Sequence, residues 1–331
     1  MNPSGSGEDP SRYFCTAAHD YDDWYRTPRG AFIDRIETDL AFRLLPPRKG
    51  WKVLDAGCGT GNFSFKLAEQ GSAVTGVDVS PDMLLRALDR ASRQDLPVRF
   101  CQMDICELEF ADATFDAIYS MAAFEFIGDR QGAFGELWRV LKPGGKLIVG
   151  TIADDSAWGH LYRKTAASDP SSVFNNADFT TLKEMKRIQA DQVTATGECL
   201  FIPPEAPEHA FNQTHEHKRA GRGHRGGFFC VVWEKPPVVK NLACQLSLYP
   251  LAGADSTTGT VEEVVGDILR EHPEAEVNAM ATLLTSDPGS IAQLLTEISR
   301  TLIDQDLPFS LVCTLSNCCG LPREQRQRHG R

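Results

Sequence analysis

Val53 to Phe63 reads VLDAGCGTGNF, with glycines at 57, 59 and 61 directly behind an apolar run that ends in Asp55. A short apolar strand, a glycine turn and a helix form the junction where open α/β sheets place their ligands. Backbone without β-carbons passes close to a ligand and offers its amides to it. A dinucleotide fingerprint would need Gly-x-Gly-x-x-Gly, but the third slot here is Asn62 and the glycine comes one residue early. Asp55, just ahead of the loop, would repel a pyrophosphate. It suits a ligand that carries an ammonium group and no phosphate.

Working outward, AVTGVD ends the next apolar run in Asp78, where a carboxylate can take both hydroxyls of a ribose. Met103-Asp104 closes a third run, where a carboxylate can accept from an adenine amino group. Leu141-Lys142-Pro143-Gly144-Gly145 reads as a tight turn into the fifth strand. Between these points strands alternate with helices. GAFIDRIETDLAFRLL repeats apolar positions at helical spacing and stops before Pro46-Pro47, NFSFKLAEQ closes at Gly71, and Ser80-Pro81 opens PDMLLRALDRASRQ. VRFCQMDI, TFDAIYSM and KLIVGTI are further strands, with QGAFGELWRVL as the helix between the last two. That rhythm predicts parallel strands joined by crossovers, a doubly wound α/β sheet.

After Thr151 the rhythm loosens. Residues 154–192 read as helical with polar loops, and QVTATGECLFI and GGFFCVVWE as a closing pair of strands. The polar insertion between them, EAPEHAFNQTHEHKRAGRGHRG, holds four of the eight histidines, His209, His215, His217 and His224. Its Pro, Gly, Lys and Arg content suits a mobile loop better than a metal site, so no metal is expected. A boundary falls at Lys235-Pro236-Pro237. From there the order is strand, helix, strand or strand pair, helix, strand, the plan of a ferredoxin-like sandwich.

At 331 residues, two domains are the natural expectation, and 42% hydrophobic residues with 24% charged ones supply an ordinary core. A net charge of -11 argues against a nucleic-acid or anionic-membrane surface. No apolar run reaches the roughly 18 residues of a membrane span. The first residues lack a signal layout, and the ten scattered cysteines fit a reducing compartment, so a cytoplasmic address is expected. Cys318-Cys319 is an adjacent pair without a C-x-x-C partner and reads as structural.

In order and spacing these motifs resemble those of class I S-adenosylmethionine-dependent methyltransferases of the small-molecule type. VLDAGCGTG, VTGVDVSPDML, QMDI, TFDAIYSMAAFEFIGD with LWRVLKPGGKLIV, and the lead-in YDDWYRTPRG carry the resemblance. It implies a Rossmann-like domain over 13–235, after a disordered 1–12, with S-adenosyl-L-methionine as cofactor. It also implies that Asp55 orients the methionine ammonium over a floor of Gly57, Cys58, Gly59 and Gly61. Asp78 would hold the ribose, Val79 and Met83 would sandwich the adenine, Asp104 and Ile105 would read its edge, and Ser120 would face the methionine carboxyl end.

Methyl transfer is an in-line displacement that requires positioning and water exclusion, and a base only if the acceptor arrives protonated. Candidates for the acceptor side are Tyr21, Trp24 and Tyr25 as a lid, Glu125 after the fourth strand, and Trp158, His160 and Tyr162. Tyr25 and Glu125 are the catalytic candidates. Each has a structural alternative: an aromatic anchor for the N-terminal segment, a helix cap for Glu125, core packing for Trp158.

Residues 236–320 resemble the YkoF-like family of thiamine- and hydroxymethylpyrimidine-binding ferredoxin-like domains, through CQLSLYPLAG, VNAMATLLTSD and PFSLVCTLSNCCG. The resemblance implies a thiamine-like ligand or pairing into homo-oligomers, ahead of a flexible basic tail at 321–331. Two functions stay open on the sequence. One is a small-molecule methyltransferase with an appended ligand-binding or oligomerisation domain. The other is a non-catalytic sensor of S-adenosylmethionine and a thiamine-like pyrimidine.

Overall fold

The apolar runs around the glycine loop form the centre of a seven-stranded mixed sheet. The computed structural model describes residues 22–94, 96–220, 222–237, 242–250, 265–268, 275–277, 282–286, 288–304 and 309–317. Expectations for residues 1–12, Tyr21, Cys318-Cys319 and the tail lie outside them. The chain divides into two compact units, 1–237 and 238–331.

In the first unit the strands are β1 (Lys52–Ala56), β2 (Ala73–Asp78), β3 (Val98–Gln102), β4 (Phe115–Met121), β5 (Leu141–Ile152), β6 (Val193–Cys199) and β7 (Phe228–Glu234). Their order across the sheet is β3-β2-β1-β4-β5-β7-β6. The first five neighbours pair in parallel, and β7 runs antiparallel to both β5 and β6. Order reverses between β1 and β4, the switch point at which a crevice opens beyond the strand ends.

Strand side chains alternate between two cores, as a sheet covered on both faces requires. Val53, Tyr119, Ile148, Phe228 and Val232 enter one cluster with helix α1 (Pro28–Leu44) and α2 (Asn62–Glu69). Leu54, Ile118, Val149, Phe229 and Trp233 enter the other. That second cluster also takes Phe134 and Leu137 from α4 (Arg130–Val140).

Local chemistry sets the helix ends. Thr27 caps α1 by accepting from the Gly30 amide at 3.0 Å, with Pro28 at the first helical position. Ser80 precedes α3 (Pro81–Gln94), and its hydroxyl accepts from the Met83 amide. Ser156 caps α5 (Ala157–Ser168) through the Gly159 amide.

Two expectations are corrected. The segment 141–145 is not a turn ahead of the strand, because β5 already pairs with β4 at Leu141. Its register then jumps, Phe115 opposing Leu141 and Ala117 opposing Lys146, so the Pro143-Gly144-Gly145 segment is accommodated as an irregularity, with Gly144 at φ +76°.

The histidine-rich insertion is not an open loop. It contains α7 (Gln213–Ala220), the helix after the short α6 (Leu182–Met185). The buried Glu216 of α7 accepts from the amides of Phe201 at 2.9 Å and Ile202 at 3.1 Å. This carboxylate fixes the segment that carries Leu200, at φ +65°, into the cavity wall described below. Glu216→Ala is expected to destabilise the protein by about 2–3 kcal/mol in urea unfolding, since it strips buried amides of a charged acceptor. His209, His215, His217 and His224 are all exposed. Among the described residues no His, Cys, Asp or Glu group is arranged to hold a metal.

The second unit contains β8 (Leu242–Pro250), β9 (Ala275–Val277), β10 (Thr282–Ser286), α8 (Pro288–Asp304) and β11 (Phe309–Asn317). Its sheet is antiparallel throughout, in the order β11-β8-β10-β9. No described helix in either unit is long and apolar enough to cross a membrane.

Candidate active site

Gly57 and Cys58 both donate their amides to the carbonyl of Val77, each at 2.9 Å, which bends the chain sharply over the end of β2. Gly57, Gly59 and Gly61 lie at φ +76°, +52° and +79°, backbone that side chains rarely adopt. The Gly59 amide then donates to Asp78 Oδ2 at 2.8 Å, and the Ser80 amide to Asp78 Oδ1 at 2.9 Å. One carboxylate thus holds both sides of the opening. The N-terminal segment is tied to the same loop, because Asp22 accepts from the Thr60 hydroxyl at 2.8 Å and pairs with Arg90 at 3.4 Å.

Above this loop lies a cavity of about 590 Å³, within the ordinary size of a small-molecule site. Of the expected cofactor residues, Asp55, Gly57, Cys58, Gly59, Asp78, Val79, Met83, Asp104 and Ile105 line it. Gly61 and Ser120 do not. A β-carbon on Gly61 would come within 2.7 Å of the Phe100 ring, so this glycine admits the packing beneath α2. Ser120 is fully buried and donates to the Ala56 carbonyl at 2.8 Å, bracing β4 against β1 from below.

Asp55 is 1% exposed and accepts from the Ser64 hydroxyl through one oxygen. Burial pushes its carboxyl up to about 7, partly offset by the Ser64 bond. A carboxyl so short of positive charge matches an arriving ammonium. Gly59 presents open space where a β-carbon would sit, so the loop offers a cradle for the rest of such a ligand. These residues fit S-adenosylmethionine.

The other half of the cavity is apolar and aromatic, formed by Ile33, Met121, Phe126, Ile152, Tyr162, Phe174, Leu200 and Phe228. Tyr162 and Phe174 pack with ring centroids 4.3 Å apart. Trp24 and Tyr25, in edge contact at 4.9 Å, border the opening. Of the expected acceptor residues, Trp24, Tyr25, Glu125 and Tyr162 therefore reach the cavity.

Trp158 and His160 do not. Trp158 is in the core, its indole donating to the Ile202 carbonyl at 2.8 Å, and His160 on the same helix points to solvent. Trp158 and Tyr162 are one turn apart on the inner face of α5, with His160 half a turn from each and facing water, and of the three only Tyr162 lines the cavity.

Glu125 follows β4 in a short 3-10 turn and is 1% exposed. Its Oε2 accepts from Thr151 at 2.7 Å, and its Oε1 has no hydrogen-bond partner. Burial pushes this carboxyl up to about 7. The sequence reading missed Glu37 of α1, which also lines the cavity. It takes no hydrogen bond or ion pair from a described residue, and burial together with the Asp34 and Glu125 charges pushes it up to about 8. The signal was present: Glu37 is four residues after Ile33 and three before Leu40, on the apolar face of its helix. Backbone strain was invisible in the sequence. Ala122 at φ +52° and Leu200 at φ +65° both line the cavity.

Residues 54–149 match the family model described as a methyltransferase domain. Over 157 residues the chain is 35% identical to a malonyl-[acyl-carrier protein] O-methyltransferase of Pectobacterium atrosepticum, covering 45% of this chain and 60% of the relative. Over 133 residues it is 40% identical to a demethylmenaquinone methyltransferase of Thermus thermophilus, covering 39% of this chain and 59% of that protein. The chain thus spans about 60% of the length of these curated relatives. A Thermotoga maritima structure described as a SAM-dependent methyltransferase, possible histamine N-methyltransferase, shares the fold. Its TM-score is 0.53 at 24% identity, covering 68% of this chain and 99% of that one. Residues 54–149, running from β1 into β5, are thus similar to a methyltransferase domain, and the chain shares its fold with that Thermotoga structure.

Proposed function

We propose that this protein transfers the methyl group of S-adenosylmethionine to a small-molecule acceptor, in the cytoplasm. The observation that carries the reading is one continuous cavity, with the glycine loop, Asp55 and Asp78 at one end and an aromatic chamber with buried carboxyls at the other. The cofactor, when bound, supplies a methyl group on a sulfonium.

The chain's own part is to hold and to dry the site. Asp55 receives the methionine ammonium and Asp78 the ribose hydroxyls, while Val79 and Met83 flank the adenine and Asp104 and Ile105 its edge. Gly57, Cys58 and Gly59 form the floor. Tyr25 and Glu125 stand on the acceptor side, and the aromatic walls exclude water. Alignment of this kind is worth about 7–11 kcal/mol in favourable cases. The two relatives named above act on a malonyl-carrier protein and a demethylmenaquinone by their names, so relatives do not single out one acceptor.

Asp78→Asn tests the cofactor assignment. It preserves shape and one acceptor oxygen but removes the charge that holds ribose and loop. S-adenosylhomocysteine should bind about 10–100-fold more weakly by calorimetry, the scale of one or two charge-assisted bonds. Equal affinity for wild type and variant would overturn the assignment. Formation of S-adenosylhomocysteine with an acceptor panel distinguishes turnover from sensing alone.

For the second unit we propose a ferredoxin-like, YkoF-like domain that binds a thiamine-like pyrimidine or pairs copies of the chain. Its antiparallel order β11-β8-β10-β9, in which the third strand lies between the first and second, supports that plan. Native mass spectrometry of the full chain reads both roles, as a co-purified ligand or as an oligomer. A monomer without ligand would count against each.

A further inference from the structure

Among the described residues, seven acidic side chains line the cavity, and no Lys, Arg or His does. Asp55, Asp78 and Asp104 belong to the cofactor end. Glu37 and Glu125 lie in the aromatic half. Glu125 is almost wholly buried with Oε1 unbonded, and Glu37 has no hydrogen bond or ion pair from a described residue.

Two cations stand behind the wall without lining it, Lys66 acting on Glu37 and Arg130 on Glu125, and their charges do not outweigh burial. Lys66 is held by Asp34 and Thr38. Arg130 Nε donates to the Phe124 carbonyl at 3.3 Å, and its Nη2 lies 3.2 Å from Asp178 as an ion pair without a hydrogen bond. A buried carboxyl oxygen without a partner is costly, so Glu125 Oε1 beside this chamber calls for a ligand group that donates hydrogen bonds or carries positive charge. An acceptor with a carboxylate or phosphate at this point would meet two carboxyls and no cation in the described lining.

Resting on the methyltransferase reading above, we propose that the methyl acceptor is an amine, delivered as an ammonium that Glu125 and Glu37 receive inside the aromatic chamber. Rings of Phe126, Tyr162 and Phe174 suit such a group, because aromatic faces attract a desolvated cation. Ionised Glu125 takes one proton from the ammonium and frees the nitrogen lone pair. The nitrogen then bonds to the methyl carbon as the carbon–sulfur bond breaks, its electron pair going to sulfur. The product is a methylated ammonium and a thioether, and Glu125 later releases its proton to water. This step conserves charge and needs no further reactant.

The test uses the full-length protein saturated with S-adenosylhomocysteine. Calorimetric probes are 2-phenylethylamine, 2-phenylethanol and 3-phenylpropanoate, which share an aryl group and differ in the terminal group. The amine is expected to bind about tenfold or more tightly than either analogue, the scale of a charge-assisted hydrogen bond. Glu125→Gln and Glu37→Gln should each remove most of that preference, with S-adenosylhomocysteine affinity as the control for an intact fold. An equal or reversed preference, no binding of any probe, or retention of the preference in both variants overturns the amine assignment while leaving the cofactor reading in place. If S-adenosylhomocysteine itself fails to bind, the methyltransferase reading falls and the amine assignment with it.

Discussion

Gly57→Ala is expected to destabilise the protein by about 2–4 kcal/mol and to weaken S-adenosylhomocysteine binding by about a hundredfold or more, the combined scale of left-handed backbone strain and overpacking. A β-carbon at this position would lie 2.4 Å from that of Ala123, and φ is +76°. Ala123 cannot retreat easily. It follows Ala122, which is held at φ +52° with its amide donating to the Gly150 carbonyl at 2.8 Å. Two controls separate the contributions. Gly144 has the same φ of +76°, open space around it and no place in the cavity, so Gly144→Ala should cost only about 1 kcal/mol of backbone strain and leave binding unchanged. Gly59, at φ +52°, also has open space but lines the cavity, so Gly59→Ala should cost a similar ~1 kcal/mol of backbone strain and in addition reduce affinity. Urea unfolding and calorimetry on the three variants read the pattern. Gly57→Ala with wild-type binding would show that the close approach of β1 to the turn after β4 does not shape the site.

How far the sequence reveals this site depends on the range of each interaction. The loop from Asp55 to Gly61 and the carboxylate at Asp78 are local signals, since a strand end and a glycine turn need only their own residues to be recognised. The sheet core is equally legible, because near-continuous apolar runs such as VLDA, DAIYS and FFCVVWE match strands covered on both faces. Positions fixed by distant partners were not legible. Trp158 is drawn to the core by the Ile202 carbonyl 44 residues away, and Glu216 turns a polar stretch into helix by taking amides 14 and 15 residues back. Glu37 joins Glu125 only because the sheet brings α1 beside the end of β4. The Gly-rich segment before Lys146 looked like a turn because its pairing to Phe115 is a register jump, which residue types alone do not encode.

The buried carboxyls predict a protein that grows less stable as pH rises. Burial is the main cause of the upward shifts of Asp55 to about 7, Glu125 to about 7 and the half-buried Glu37 to about 8, against ordinary values of 3.8, 4.5 and 4.5, and it raises Asp78 as well. Below about pH 4 these groups are protonated in both folded and unfolded chains and cost nothing. Above it the unfolded chain ionises while the fold holds its protons, so their contribution is lost progressively up to about pH 8 and then levels off.

Glu37→Gln isolates one share, because Gln has nearly the same shape and cannot ionise. The variant should match wild type near pH 4 and exceed it by about 2–4 kcal/mol at pH 8, less than full conversion of the shift because cavity water reaches the group. Ligand binding should reverse the trend at Asp55. An ammonium there favours the carboxylate, so S-adenosylhomocysteine binding near pH 6.5 should release protons, detectable as a dependence of the binding heat on buffer ionisation. Urea titrations at pH 4, 6 and 8 on wild type and Glu37→Gln check the first half. A variant no more stable than wild type at pH 8 would mean that Glu37 is hydrated or paired in solution, and the amine-binding chamber would lose one of its two carboxyls.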